Sequence, residues 1–189
     1  MACLGVILAR GGSKRIPRKN LRLLGNQPLI AWTIGAALCS HLDGLVLSSE
    51  DDEILDVANS YGICTIRRPI EMASDTASSY PALLHAVDQC GIPPELVCLL
   101  QPTSPYRTAE DIDACIAMMD GDWPAVVSRE IGHAVPNGAV YVGRVDWLRD
   151  GATFDSPAVG YYDMPAEYSV DIDTENDWRE AERLLGALR

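Results

Sequence analysis

Residues 10–22 read Arg-Gly-Gly-Ser-Lys-Arg-Ile-Pro-Arg-Lys-Asn-Leu-Arg and hold six of the chain's 15 basic side chains: Arg10, Lys14, Arg15, Arg18, Lys19 and Arg22. Both lysines of the chain are among them. Adjacent glycines, Gly11 and Gly12, let backbone N–H groups approach an oxyanion closely. Ser13 adds a hydroxyl donor, and the cations neutralise charge. That combination suits a polyphosphate. The first acidic residue is Asp43, so the first 42 residues carry +6 and the remaining 147 carry −18. A polyanion would be drawn to this loop against the field of the rest of the chain. The spacing is not a Walker sequence, which needs a longer spacer between glycines and a Gly-Lys-Ser/Thr ending. Nor is it the dinucleotide fingerprint, which needs a third glycine. A solvated basic surface loop is the competing reading.

Asp171-Ile-Asp173 is the second constellation. In an extended stretch, residues two apart point to the same side, so the carboxylates converge. Such a pair needs a cation or a proton between its members, and Mg²⁺ carrying a nucleoside triphosphate is the natural filler. The same spacing also suits a helix cap at Asp173 with Asp171 in solvent. In Gln101-Pro-Thr-Ser-Pro-Tyr-Arg107, the side chains of Gln101, Thr103, Ser104 and Arg107 can bind a polar ligand or build a capped turn. The hydroxyl-rich segment Arg68–Ser79 offers the same two options. His41 and His85 fall at the end of, or within, helical stretches, and His133 in an irregular one. None belongs to a readable nucleophile triad or metal cluster.

These residues need a scaffold, and the pattern supplies one. Apolar runs at Cys3–Ala9, Leu45–Ser48, Cys64–Ile66, Leu96–Leu100 and Ala125–Ser128 read as strands, with further strands at Ala139–Gly143 and Val159–Tyr162. Helical spacing fills the gaps. It runs from Pro28 through Ala37, over Asp51–Tyr61 and Ser79–Gln89, after a capping box at Thr108–Asp111, over Arg144–Arg149, and from Thr174 or Glu175 onward. Alternation of this kind predicts a single α/β domain over 1–189, with a mostly parallel sheet covered by helices on both faces. Ligands of such sheets gather at the carboxyl ends of the strands. Aromatics make up only 6% of the chain, so the core must be aliphatic. A pI near 4.5 argues against nucleic acid and a basic membrane surface as partners. Six dispersed cysteines lack zinc or redox spacing and read as reduced, mostly buried thiols of a cytoplasmic protein.

Five segments occur in order over nearly the whole chain: Ile-Leu-Ala-Arg-Gly-Gly-Ser-Lys-(x)4-Lys-Asn, Arg-Pro-x-Glu-x-Ala-x-Asp-Thr-Ala-Ser-Ser, Leu-Gln-Pro-Thr-Ser-Pro-x-Arg-Thr, Pro-Asn-Gly-Ala-x-Tyr and Ser-x-Asp-Ile-Asp-Thr. Together they resemble the acylneuraminate cytidylyltransferase family, the CMP-sugar-acid synthetases. The resemblance implies a Rossmann-like nucleotidyltransferase fold. It also implies transfer of CMP from CTP to an acidic acceptor with release of pyrophosphate. Carried over by position, Arg10, Ser13 and Lys19 match the phosphate loop, and Asn20, Arg68, Ala77 and Ser79 match the pocket for cytosine and ribose. Gln101 matches an acceptor contact. Asp171 and Asp173 match the carboxylates for Mg²⁺ or another divalent cation. Catalysis in such a site is positioning and charge neutralisation, carried here by Arg10, Lys19, Asp171 and Asp173, with no protein nucleophile.

One departure stands out. Members of the family carry a few dozen residues between the strand matching Ala125–Ser128 and the Pro-Asn-Gly motif, which form a dimerisation arm and supply acceptor contacts. Here only Arg129–Val135 lie there. The chain is therefore expected to be a monomer, or a homodimer through another surface. Its acceptor pocket is expected to be built in cis from Gln101, the 129–135 loop and Asn137. A sialic-acid-like nonulosonic acid is the leading acceptor. A smaller acid such as a phosphonate, held by Arg129 or His133, is the alternative, and a non-catalytic nucleotide-binding module is a third reading.

Overall fold

A computed structural model describes residues 1–73, 78–91 and 93–187. The chain opens with β1 (Cys3–Leu8), runs through the cationic loop and a small hairpin of β2 (Leu23–Leu24) and β3 (Gln27–Pro28), and enters α1 (Leu29–Leu38). It continues as β4 (Gly44–Ser49), α2 (Asp52–Ser60), β5 (Cys64–Arg67), α3 (Ser79–Gln89), β6 (Leu96–Leu100) and α4 (Ala109–Ala117). The last part is β7 (Ala125–Glu130), β8 (Pro136–Arg144), α5 (Val145–Arg149), β9 (Gly160–Met164) and α6 (Glu175–Ala187). Seven strands form one sheet in the order β5-β4-β1-β6-β8-β7-β9. β8 alone runs against the rest, pairing antiparallel with β6 and β7. The expected mostly parallel sheet is therefore observed.

Alternation along the strands divides the core in two. Cys3 and Ile7 of β1 and Leu96, Cys98 and Leu100 of β6 face α1, α2 and α4. Leu4 and Val6 of β1 and Val97 and Leu99 of β6 face α3 and α5. The chain moves outward from β1 in opposite directions, to β4 on one side and β6 on the other. The crevice between the carboxyl ends of β1 and β6 is the switch point of the sheet. A third apolar cluster lies off this edge. Ile16 of the cationic loop, Leu24 and Leu29 pack with Tyr106, Ile172 and the fully buried Trp178 of α6. It holds the Asp-Ile-Asp segment against the cationic loop.

Of the two options for Arg107, a ligand contact or part of a capped turn, the structure supports the structural one. It is 2% exposed. Its Nε donates to the Ala139 carbonyl of β8 at 2.7 Å, and its Nη1 to the Thr33 hydroxyl of α1 at 2.7 Å. Nη2 donates to the Gln101 carbonyl at the exit of β6. Burial pushes the guanidinium down to about 10, still far above neutrality, so it keeps its charge. One buried cation thus cross-links β6, β8 and α1. The neighbouring capping box forms as expected, with the Thr108 N–H donating to Asp111 at 2.8 Å and the Asp111 N–H to the Thr108 hydroxyl at 3.3 Å.

Cysteine placement also differs from expectation. Cys3, Cys98 and Cys115 are buried, but Cys39 and Cys64 are exposed and Cys90 is half-buried; all six are free thiols. Among the described residues, no helix is long and apolar enough to cross a membrane.

Replacing Arg107 with Met keeps most of the buried volume but leaves two buried carbonyls and a hydroxyl without their donor. We expect a loss of roughly 3 kcal/mol or more of unfolding free energy. Urea unfolding of the ligand-free protein followed by circular dichroism measures this, and a loss below about 1 kcal/mol would contradict the cross-linking role.

Candidate active site

The switch-point crevice is a cleft of about 320 Å³ lined by Leu8, Arg10, Ser13, Lys19, Asn20, Ser79, Leu99, Gln101, Pro102, Thr103, Asp171 and Asp173. Leu8 and Leu99, from β1 and β6, give it an apolar portion. Ser79 comes from the first turn of α3, and Gln101 to Thr103 from the loop after β6. A second hollow of about 390 Å³ shares Arg10, Ser13, Lys19 and Asp173 and adds Lys14 and Arg15. The arrangement is an apolar slot that opens into a cationic basin. A flat heterocycle and a polyphosphate tail match those two parts.

The cationic loop is divided in its duties. Arg10, Lys14, Arg15 and Lys19 face the cleft or the basin. Arg18 turns to Asp51 at 3.2 Å and Glu53 at 2.8 Å. It adopts a left-handed φ of 55°, a conformation these ion pairs help to hold. Arg22 bonds Glu175 at 2.6 Å and lies 4.2 Å over the Trp178 ring, clamping α6. Gly11 has a packing role that its sequence reading did not give. A Cβ there would sit 2.2 Å from the Asp51 carboxylate, so only glycine fits, and its N–H donates to Glu50 at 2.7 Å. The Gly11 amide is thus committed to the fold rather than offered to a phosphate. Nothing lies within 4 Å of a Cβ at Gly12. Asn20, 7% exposed, closes the loop by donating from Nδ2 to the Arg10 carbonyl at 2.9 Å.

Asp173 is not a helix cap. Thr174 caps α6, and Asp177 reaches back to the Thr174 N–H at 2.7 Å. The Asp173 carboxylate instead meets Lys19 at 3.1 Å and Arg15 at 3.3 Å. Lys19 Nζ also donates to the Ile172 carbonyl at 2.7 Å, and the Ile172 N–H donates to the Thr103 carbonyl at 2.8 Å. The Asp-Ile-Asp segment is therefore pinned between the cationic loop and the loop after β6, with Ile172 buried between its two acids. Solvent reaches Asp171 through the cleft mouth, yet protein surrounds much of it. This desolvation raises its pKa above the ordinary aspartate value. The Thr103 hydrogen bond opposes the rise, Asp173 adds to it, and Lys19 opposes it.

Two of the expected site residues, Arg68 and Asn137, lie outside the cleft lining. Arg68 is 6% exposed, outside the cleft lining, and its Nε and Nη2 donate to Glu50 at 3.1 and 2.9 Å. Asn137 also falls outside the lining. Its amide donates to Ser169 at 2.9 Å, and its Oδ1 accepts from Ser128 at 2.7 Å. The residue of that motif that abuts the site is Gly138. Its φ is +81°, and a Cβ would come within 3.1 Å of the Gln101 amide oxygen and 3.5 Å of the Asp171 carboxyl carbon. Ala77 lies outside the described residues. Glu50 has no readable signal of its own in the sequence, because it opens the run Glu50-Asp51-Asp52-Glu53, which reads as the acidic start of a helix.

A sequence model of the family described as Cytidylyltransferase matches residues 4–129. The chain belongs to the cytidylyltransferase family. Among its relatives, the CMP-N,N'-diacetyllegionaminic acid synthase of Legionella pneumophila is 33% identical over 98% of this chain and 97% of the relative. The N-acylneuraminate cytidylyltransferase B of Danio rerio is 30% identical over 94% of this chain, which spans half of that relative's length. The two alignments run over 224 and 222 positions, so both cytidylyltransferases carry residues with no counterpart in this chain of 189. The fold resembles that of a solved CMP:2-keto-3-deoxy-manno-octonic acid synthetase complexed with CTP, at a TM-score of 0.81, 15% identity and full coverage of both chains.

Because the folded pKa of Asp171 exceeds its unfolded value, the ionised form weighs against the fold. That penalty is complete above the folded pKa and lifts as pH falls through it toward 3.8. In EDTA at pH 7, Asp171→Asn should therefore melt at the same temperature as the parent or higher, with the difference shrinking in acid. Turnover should fall on the order of 100-fold. Calorimetry across pH together with a steady-state assay checks both halves. A variant that melts lower at pH 7 yet turns over normally would reverse the assignment.

Proposed function

We propose that this cytidylyltransferase transfers CMP from CTP to a hydroxyl oxygen of a sialic-acid-like nonulosonic acid and releases pyrophosphate. The observation that carries the reading is the convergence of Arg10, Ser13, Lys19, Asn20, Ser79, Gln101, Asp171 and Asp173 on one cleft, from segments as far apart as the first and last quarters of the chain. The names of the two relatives support a sugar-acid acceptor. In this reading, the base rests in the slot over Leu8 and Leu99 beside Ser79, and the triphosphate extends toward Arg10, Ser13 and Lys19. Gln101 meets the acceptor. The acceptor hydroxyl oxygen attacks the α-phosphorus and gives up its proton to solvent, the bond from the α-phosphorus to the oxygen bridging to the β-phosphorus breaks, and pyrophosphate leaves toward the basin of Lys14 and Arg15. The chain supplies position and charge, which is what a direct displacement requires.

Asp171 and Asp173 fit a hard divalent cation such as Mg²⁺. Both line the cleft, and among the described residues no cluster of three or more His, Cys, Asp or Glu forms a closed metal cage, so phosphate oxygens and water would complete the shell. When bound, such an ion supplies neutralisation of the charge on the transferring and departing phosphates. Asp173 is shared with Lys19 and Arg15, so these three groups and the incoming phosphates exchange partners as the site fills.

The smaller-acid alternative needs Arg129 or His133 at the cleft. Arg129 is held by Asp163 at 2.6 Å and lies 4.5 Å over the Tyr161 ring, and His133 is 3.5 Å from Glu130. Neither lines the cleft, so no observation singles out a phosphonate. β7 and β8 are joined by only the short 131–135 connection, and we infer that the chain works as a monomer or as a homodimer through another surface.

Pyrophosphate release tests the proposal. With sialic-acid relatives as acceptors, CTP should outperform ATP, GTP and UTP by on the order of 100-fold, because a pocket built for the cytosine amino group leaves uracil with a mismatched carbonyl. A panel that includes small phosphonates separates the acceptors. Equal turnover of all four nucleotides, or turnover with phosphonates alone, would overturn it.

A further inference from the structure

We propose that Asp173 selects between two forms of a polyphosphate, admitting the one that carries a divalent cation and opposing the bare one, because its carboxylate competes with phosphate for Lys19 and Arg15. The inference rests on the nucleotide and metal reading above and gives one of the two acids a task the other lacks. Asp173 and Lys19 line both the cleft and the basin, and Arg15 lines the basin. Oδ1 of Asp173 accepts from Lys19 Nζ at 3.1 Å, and Oδ2 accepts from Arg15 Nη1 at 3.3 Å. Both oxygens therefore hold cations that a phosphate in the basin would use. Asp171 lines the cleft but not the basin.

The pairs are built to change partners. The backbone at Asp173 is fixed by other groups, since the Ile172 side chain is buried and the Asp173 N–H donates to Asp177 at 3.0 Å. Lys19 is anchored by its bond to the Ile172 carbonyl at 2.7 Å, whichever anion it faces. The Asp173 and Arg15 side chains are 54% and 70% exposed, so both can turn without disturbing the core. A bare polyphosphate that draws Lys19 and Arg15 to itself leaves a carboxylate beside it with no cation, and the two anions repel. A polyphosphate that brings a divalent cation gives that carboxylate a new partner. By linkage, a cation on Asp173 favours phosphate by the same factor as phosphate favours the cation.

Calorimetric titration of inorganic tripolyphosphate, bare in EDTA and as its preformed Mg²⁺ complex, tests the competition. In EDTA, Asp173→Asn should bind bare tripolyphosphate about 5-fold or more tightly than the parent. Asp171→Asn removes the same charge from the same cleft and should gain about 2-fold at most. With the Mg²⁺ complex the order should reverse, Asp173→Asn binding more weakly than the parent. General loosening of the fold would not produce that change of sign. Arg15→Gln alters an exposed side chain and reads the competition from the cation side, which covers the case in which Asp173→Asn does not fold. With Mn²⁺ as the sole ligand, its affinity should rise about 3-fold. Arg18→Gln removes the same charge from a side chain paired with Asp51 and Glu53, and should stay within about 1.5-fold of the parent. The proposal is overturned if Asp173→Asn gains nothing in EDTA, if Asp171→Asn gains as much, or if Arg15→Gln leaves Mn²⁺ binding unchanged. A parent and variants that bind tripolyphosphate in neither form would instead strike at the nucleotide-binding reading itself.

Discussion

A chain that carries −12 overall has to hold a cluster of cations at the carboxyl end of an interior strand, and the cations repel one another. The loop solves this by alternating signs. Arg18 sits between Asp51 and Glu53, Arg22 between Glu175 and the face of Trp178, and Lys19 and Arg15 share Asp173. Exposed pairs of this kind contribute little stability singly. Their value here is orientation. Two of the six basic residues are drawn off to brace the scaffold, and four remain at the cleft and its basin. The acids that do the bracing come from α2 and from the segment entering α6, so the loop is held at both flanks.

Beneath the charges lies the sheet. The switch point between β1 and β6 provides the crevice, and Arg107 keeps its far wall in place by joining the end of β6 to β8 and α1. The apolar cluster around Trp178 and Ile172 fixes the other wall. Ile172 is the hinge of this arrangement. Its side chain is buried, its N–H and carbonyl are both bonded, and the acids on either side line the cleft. Two carboxylates are thus held in a partly desolvated cleft by packing of the residue between them.

Much of this was legible in the sequence. Runs bounded by turns marked all seven strands of the main sheet; in β1 and β6 burial on both faces leaves continuous aliphatic stretches, whereas the edge strands β5 and β9 are partly exposed. The strand-end motifs fell where the switch-point rule puts ligands. Other features had no readable signature. β2 and β3 are two residues each, too short for any periodicity. Arg107 stood in a polar loop after a strand, a context that suggests solvent; its burial depends on α1 and β8 closing over it from distant parts of the chain. The motif around Asn137 suggests a ligand contact, whereas the fold uses its side chain as a bracket between Ser128 and Ser169. The positive φ of Gly138 becomes visible only with the backbone in hand.

The connection between β7 and β8 has a bearing on how such proteins diversify. It is a tight reversal between neighbouring strands, and its Ile131 and Val135 stand in solvent at 60% and 66% exposure. Lengthening a closed loop costs only about 0.6 kcal/mol per doubling. Extra chain spliced in at that point would barely burden the sheet, while its return strand leads directly to Gly138, against Gln101 and Asp171. The hairpin tip therefore behaves as a port. Insertions and deletions there can alter what is brought to the cleft while the strand-end machinery goes on unaltered, so that selectivity can drift in a lineage on a separate clock from catalysis.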